Sequence, residues 1–193
     1  SIQPLWSYLY YLEPEQKPDP KHIRELLDVV DYRAIDISSS KVALRRAGMQ
    51  ITLNGIAQGF ITDRVTELFR SRGLQHALIQ LGETFALGRH SPQRPWQVGI
   101  EDLTGRIVAR ESLENMALAT SAGAGTPFSA GANAHHLVDA CSGEPEQRYR
   151  SLSVIASNAT DADGLSTALS FLDTDRQQSI LRQYPGAKIA SIL

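Results

Sequence analysis

The sequence predicts an α+β fold in which several short strands follow one another and helices flank them. Some short segments alternate apolar and polar residues, which is typical of half-buried strands. Others repeat apolar residues at intervals of three and four, as amphipathic helices do. Because the strands are consecutive and do not alternate strictly with helices, the pattern favours α+β over a doubly wound α/β fold.

The helical pattern appears in four segments. Asp19 and Pro20 are typical of a helix start, and Gly73 is typical of a helix end. Residues 2–12 are rich in apolar and aromatic side chains, so we expect them to pack against the rest of the chain. The predicted helices are 20–30, 55–72, 160–172 and 174–183.

The strand pattern accounts for most of the remaining chain. Prolines mark 13–20 as a loop, and the Gly-, Ala- and Ser-rich stretch 121–134 is predicted to be another. The predicted strands are 34–38, 41–46, 49–53, 76–81, 84–88, 96–101, 106–110, 116–120, 151–157 and 188–193.

Composition excludes several classes of protein. The 193 residues are 42% apolar and 21% charged, which is ordinary for a globular chain. Nineteen Lys and Arg against twenty-one Asp and Glu give a net charge of −2, without the basic excess of a nucleic-acid binder. Cys141 is the single cysteine, which excludes an internal disulfide and a Cys-rich zinc site. No apolar run reaches about 18 residues, so no membrane span is predicted.

The segment Thr160–Thr167 is the most informative motif. On the predicted helix Asp163 and Thr167 are four residues apart and share one face. A carboxylate and a hydroxyl near a helix N-terminus suit a hard cation such as Mg²⁺. Thr160 and Asp163 also have the spacing of a capping box, and on this feature alone the capping interpretation is favoured.

A glycine-containing turn precedes the second predicted helix. Asn54-Gly55-Ile56-Ala57-Gln58-Gly59 would let a ligand approach the backbone and would offer free N–H donors. The plainer interpretation, a turn capped by Asn54, is favoured. Asp63 falls on the apolar face of the helix and requires a partner, so a structural acceptor and a ligand contact are equally open.

Two further motifs carry polar groups. His135-His136-Leu137-Val138-Asp139 lacks the spacing of a zinc site, so a general base or phosphate contact is weighed against structural histidines, which are favoured. Thr120 and Ser121 supply either hydroxyl contacts to a ligand or a strand end.

The order of these motifs, with Leu81-Gly82-Glu83 between them, resembles the ApbE family of FAD:protein FMN transferases. The resemblance spans roughly 50–172, where five blocks occur in order. It implies an ApbE-like, T-fold-like arrangement of mixed or antiparallel sheets with flanking helices. Ser1-Ile2-Gln3 resembles a segment about a third of the way into family members. We therefore expect one ApbE-like domain over 1–193 that lacks the N-terminal third, in a processed or trimmed chain.

The resemblance also implies a function. Family members bind FAD with Mg²⁺, and a Thr or Ser hydroxyl of an acceptor flavoprotein takes the FMN as AMP leaves. The alternatives are a flavin-binding module without catalysis and an FAD pyrophosphatase that yields FMN and AMP. The family is usually exported, so a periplasmic location is expected.

Site residues follow from matched positions. The metal is expected at Asp163 and Thr167, with the carbonyls of Gly55 and Ser166. His136 and Asp139 are the expected catalytic residues. The expected FAD contacts are Asn54, Gly55, Gln58, Asp63, Gly82, Thr120, Ser121 and His136.

Gln58 stands where the family usually has Lys, which removes a cation from a site meant for a polyanion. With Asn54-Gly55 it resembles the NosX-like subgroup, which is linked to nitrous-oxide reductase maturation.

Overall fold

The first of two units in the chain combines Ser1–Thr52 with Gly123–Glu146. The computed structural model describes residues 1–13, 15–123, 128, 135–145 and 148–193. The elements of the first unit are helices α1 (Gln3–Tyr10) and α2 (Pro20–Leu27), a 3₁₀ turn (Tyr32–Ala34), and the antiparallel strands β1 (Ile35–Ile37) and β2 (Val42–Leu44).

The apolar start of the chain is packed in this unit, as its composition predicts. Leu9 and Leu12 are buried in one cluster with Phe128 and Val138. Helix α2 begins as predicted, because the side chain of Asp19 accepts a hydrogen bond from the backbone N–H of Lys21 at 2.9 Å.

The second unit combines Leu53–Ala122 with Gln147–Leu193 and is built on a five-stranded sheet. Its helices are α3 (Asn54–Ser71), α4 (Ala159–Leu169) and α5 (Thr174–Leu181). Its strands are β3 (Ala77–Leu81), β4 (Glu83–Leu87), β5 (Trp96–Glu101), β6 (Ile107–Leu113), β7 (Met116–Ser121), β8 (Leu152–Ala156) and β9 (Lys188–Ile192).

The sheet has the strand order β3-β4-β7-β8-β9, and every neighbouring pair is antiparallel. One face packs against helices, where Phe85 and Ala119 of the sheet meet Ala162 of α4. The other face carries Leu118 and Ile155, which pack with residues of the β5–β6 hairpin. The alternation of side chains along each strand therefore supplies two separate layers of core.

Helices α3 and α4 approach each other very closely. A Cβ atom at Gly59 of α3 would lie only 2.3 Å from the backbone oxygen of Ala159 in α4. No side chain fits in that space, so glycine is required at this crossing.

The α+β class and most of the predicted elements are confirmed. Residues 49–53, predicted as a strand, form none: Ile51 and Leu53 are exposed, so the alternation there does not reflect a buried face. Most of the predicted loop 121–134 lies outside the described residues. The expectation of one domain with a missing N-terminal third stays a prediction. Among the described helices, none has the length and apolar character needed to cross a membrane.

We expect Gly59→Ala to lower the free energy of unfolding by about 1–3 kcal/mol, because the added methyl group meets backbone that cannot move aside. Gly55→Ala is the matched control, since a Cβ there meets nothing within 4 Å. Urea unfolding of both variants measures the difference. Equal stabilities would contradict the close crossing of α3 and α4.

Candidate functional site

The N-terminus of α4 is held by residues other than the predicted cap. The side chain of Asn158 accepts a hydrogen bond from the N–H of Asp161 at 2.7 Å, which makes Asn158 the cap. Asp163 lies inside the helix, so the capping-box interpretation of Thr160 and Asp163 is wrong. The carboxylate of Asp163 must therefore be explained in another way.

Asp163 is 7% exposed, and its carboxylate faces α3. Its Oδ2 accepts a hydrogen bond from the backbone N–H of Gly59 at 2.9 Å. Burial raises the pKa of Asp163, and the bond from Gly59 offsets part of that rise. In a regular helix the Gly59 N–H would donate to the carbonyl of Gly55, so the bond to Asp163 competes for that donor.

Three hydroxyl groups form a chain beside Asp163. The Oγ of Ser121, at the end of β7, lies 2.7 Å from Ser166 Oγ and 2.9 Å from Thr167 Oγ1. Ser166 Oγ donates to the backbone oxygen of Asp163 at 2.9 Å. Each hydroxyl has one proton, so Ser121 must donate to Ser166, and Thr167 must donate to Ser121. The lone pairs of Thr167 Oγ1 remain available to a cation.

The other predicted hydroxyl has a different partner. Thr120 Oγ1 lies 2.8 Å from Ser153 Oγ on the neighbouring strand β8. Thr120 is exposed, whereas Ser121 is buried, as expected for adjacent residues on opposite faces of a strand. Only Ser121 of this pair is hydrogen-bonded to the motif on α4.

Gln58 and Gly82 are brought together. Gly82 has a φ of +97°, and a Cβ atom there would lie 2.7 Å from Cδ of Gln58. The side-chain amide of Gln58 therefore rests against the β3–β4 turn. Asn54 is the first residue of α3 and not its cap, because Leu53 occupies the cap position. The expected capping by Asn54 is wrong.

Glu83 is not predicted as a site residue from the sequence. It opens β4 and is 8% exposed. Burial, followed by the negative charge of Asp163, raises the pKa of Glu83 to about 7. The available signal was a carboxylate directly after Gly82 at the start of an otherwise uncharged strand.

Asp63 holds the start of α4. Its carboxylate accepts hydrogen bonds from the N–H of Ala159 at 2.7 Å, the N–H of Thr160 at 2.9 Å and the hydroxyl of Thr160 at 2.5 Å. These bonds support the structural interpretation of Asp63. An FAD contact by the same residue stays a prediction.

The predicted catalytic residues His136 and Asp139 belong to the first unit. Asp139 Oδ1 accepts from the N–H of Cys141 at 2.8 Å within a tight turn. Burial, with the neighbouring His136, lowers the pKa of His135. In the described ranges no three His, Cys, Asp or Glu side chains form a group that could hold a metal. The catalytic roles of His136 and Asp139 stay predictions.

The structure thus gathers one set of polar groups in the second unit. The set is a buried carboxylate pair, a directed chain of hydroxyls and a helix–helix crossing that fixes both. Its members are Gly59, Glu83, Ser121, Asp163, Ser166 and Thr167. Oxygen donors of this kind are the ligands that hard cations prefer.

The family model described as the ApbE family matches residues 1–191. The chain belongs to the ApbE family.

Similar proteins carry consistent names. The FAD:protein FMN transferase of Treponema pallidum is 33% identical over 190 residues, covering 88% of this chain and 52% of that protein. The FAD:protein FMN transferase of Haemophilus influenzae is 32% identical, with coverages of 89% and 53%. The chain spans about half the length of these curated relatives.

Solved structures agree with the fold. The flavinyl transferase ApbE of Pseudomonas stutzeri superposes with a TM-score of 0.77 at 27% identity, over 95% of this chain and 58% of that one. The ApbE protein of Thermotoga maritima gives a TM-score of 0.85 at 23% identity, over 100% of this chain and 67% of that one. The ApbE-like fold is therefore confirmed.

Folding stability should depend on pH through Glu83. The ordinary pKa of 4.5 applies in the unfolded chain, against about 7 in the folded one. The folded state binds more protons between these values, so the free energy of unfolding should fall by up to about 3 kcal/mol as pH rises through that window. The raised pKa of Asp163 acts in the same direction.

Urea unfolding in EDTA, from below to above this window, measures the decline. Glu83→Gln should flatten the curve, because the amide does not ionise. The control Glu101→Gln removes an exposed carboxylate from the same unit and should leave the decline in place. Parallel curves for the wild type and Glu83→Gln would contradict the raised pKa.

Proposed function

We propose that this chain forms part of an Mg²⁺-dependent FAD:protein FMN transferase. The reaction transfers FMN from FAD to a Thr or Ser hydroxyl of an acceptor flavoprotein and releases AMP. Membership of the ApbE family and the names of its relatives support the activity. The NosX-like subgroup and a periplasmic location are part of the proposal and rest on sequence resemblance alone.

The observation that carries the proposal is the directed hydroxyl chain beside Asp163. It presents the lone pairs of Thr167 Oγ1 on the helix that also carries the buried carboxylate of Asp163. Carboxylate and neutral oxygen donors are the groups that Mg²⁺ prefers. The residues present therefore fit the cation that the family implies.

Two backbone carbonyls are consistent with the same role. The Gly59 N–H donates to Asp163, which weakens the helical hydrogen bond that it would otherwise make to the Gly55 carbonyl. The N–H of Ser170 donates to the carbonyl of Thr167 at 3.2 Å and not to that of Ser166. We therefore assign Asp163, Thr167, Gly55 and Ser166 to hold the cation.

A bound Mg²⁺ would neutralise charge that develops on the phosphate groups during transfer. The chain's own residues would orient the substrate. The amide of Gln58, held against Gly82, can donate a hydrogen bond to a phosphate oxygen without adding a positive charge. We assign His136 to proton transfer at the reacting phosphate, with Asp139 as its partner in the motif, on sequence position alone.

The proposal is tested by incubating the chain with FAD, Mg²⁺ and an acceptor flavoprotein, and then measuring the mass of the acceptor. We expect a gain of one FMN, which EDTA should abolish. Free AMP without a modified acceptor would instead indicate an FAD pyrophosphatase. Bound flavin without either product would indicate a binding module.

Asp163→Asn should reduce FMN transfer by at least about a hundredfold, because the amide keeps an acceptor for Gly59 but removes the charge that holds the cation. The control Asp175→Asn changes an exposed acid on α5 and should leave transfer unchanged. Circular dichroism establishes that both variants fold. Full transfer by folded Asp163→Asn would refute the metal assignment.

A further inference from the structure

The second buried carboxylate of the larger unit has no role in the function proposed above. Glu83 lies at the start of β4 and is 8% exposed, close to the 7% of Asp163. Side chains alternate along a strand, so Glu83 lies on the face of β4 that carries Phe85, and Phe85 packs with Ala162, the residue before Asp163. The two carboxylates thus come from separate elements, β4 and α4, on the same side of the sheet. Burial, and after it the negative charge of Asp163, disfavours the ionisation of Glu83.

Two buried like charges repel each other and require compensation. Asp163 accepts from the backbone N–H of Gly59, and the backbone N–H of Thr120 slightly favours the charged form of Glu83 and so lowers its pKa. Among the residues that the structure describes, no Lys, Arg or His forms an ion pair with either one. Dipoles alone therefore oppose two negative charges, and a divalent cation would supply the missing positive charge.

The position of Glu83 links it to the other oxygen donors. Strand β4 pairs with β7, where Phe85 lies opposite Ala117 and Thr84 lies opposite Leu118. By strand alternation Ser121 lies on the face of β7 that carries Ala119, which packs in the same cluster as Phe85 and Ala162. Ser121 in turn orients the hydroxyl of Thr167. Glu83 and the hydroxyl chain therefore lie on the same face of the sheet, the one that carries α4.

We infer that Glu83 is an additional acidic residue of the divalent-cation site, which raises cation affinity beyond what Asp163 and Thr167 supply. The inference rests on the proposed function, because it concerns the cation of the same site. Glu83 would supply a second negative charge, in addition to that of Asp163, to balance a doubly charged ion. This assignment also gives a role to an acid at a buried position, where its charge weakens the fold without a cation.

The experiment is a calorimetric titration of the chain with Mg²⁺ alone, without FAD or acceptor. It is carried out above the pKa of about 7 that burial gives Glu83. Glu83→Gln keeps the size and an oxygen acceptor of the side chain and loses the charge. We expect its Kd for Mg²⁺ to rise about 10- to 100-fold. The control Glu101→Gln, an exposed acid on β5, should change the Kd by less than about twofold.

Thermal unfolding separates a charge role from a structural one. If Glu83 serves the cation, Glu83→Gln should raise Tm in EDTA, since the repulsion with Asp163 is gone, and should reduce the gain in Tm that Mg²⁺ produces. If the side chain of Glu83 has only a structural role, Tm in EDTA should fall or stay equal, and the Mg²⁺-induced gain should be unchanged. The second pattern would overturn the inference.

Glu83→Asp is a second variant for the case that Glu83→Gln does not fold, because it keeps the charge on a shorter side chain. It should bind Mg²⁺ more tightly than Glu83→Gln, and the reverse order would overturn the inference. A wild-type chain that binds no Mg²⁺ would overturn it as well. The FMN-transfer assay tests the proposed function separately. Equal Mg²⁺ affinities of wild type and Glu83→Gln would show that Glu83 is not part of the cation site, and would leave the proposed transfer activity unaffected.

Discussion

A reciprocal pair of carboxylate–backbone hydrogen-bond contacts between α3 and α4 is the interaction on which the rest of the larger unit depends. Asp63 of α3 accepts from the first N–H groups of α4, and Asp163 of α4 accepts from the Gly59 N–H of α3. The absence of a side chain at Gly59 lets the two backbones come this close. Because these contacts lie about one turn apart on each helix, the two helices have little freedom to slide or rotate at their crossing.

The position of α4 then determines the chemistry of the site. Because α4 is fixed, Ser166 and Thr167 meet Ser121 at the end of β7, and the direction of the hydroxyl chain follows from the carbonyl of Asp163 at its end. The same packing buries Asp163 and Glu83, and this burial raises the pKa of both carboxyls.

The sequence predicts the elements well and their partners poorly. Periodicity locates α3 and α4 and places Asp163 and Thr167 on one helix, because these are local properties. The partner of Asp163 is 104 residues away, and the partner of Asp63 is about as distant, so no local pattern shows them. The capping-box interpretation failed because capping-box spacing does not reveal that Asn158 lies one residue ahead of the helix. Glu83 was missed because an acid at a strand start is exposed in most proteins, and only the tertiary fold buries it.

We propose that the oxygen donors around Asp163 bind a divalent cation. Mn²⁺ is a suitable probe, since it prefers the same oxygen ligands and scatters X-rays strongly enough to be located. Crystals of the chain soaked in Mn²⁺ should show an anomalous peak at coordination distance from the carboxylate of Asp163 and from Thr167 Oγ1. A fully soaked crystal with no peak beside Asp163, or with its strongest peak at an unrelated acidic surface, would contradict a cation site at Asp163.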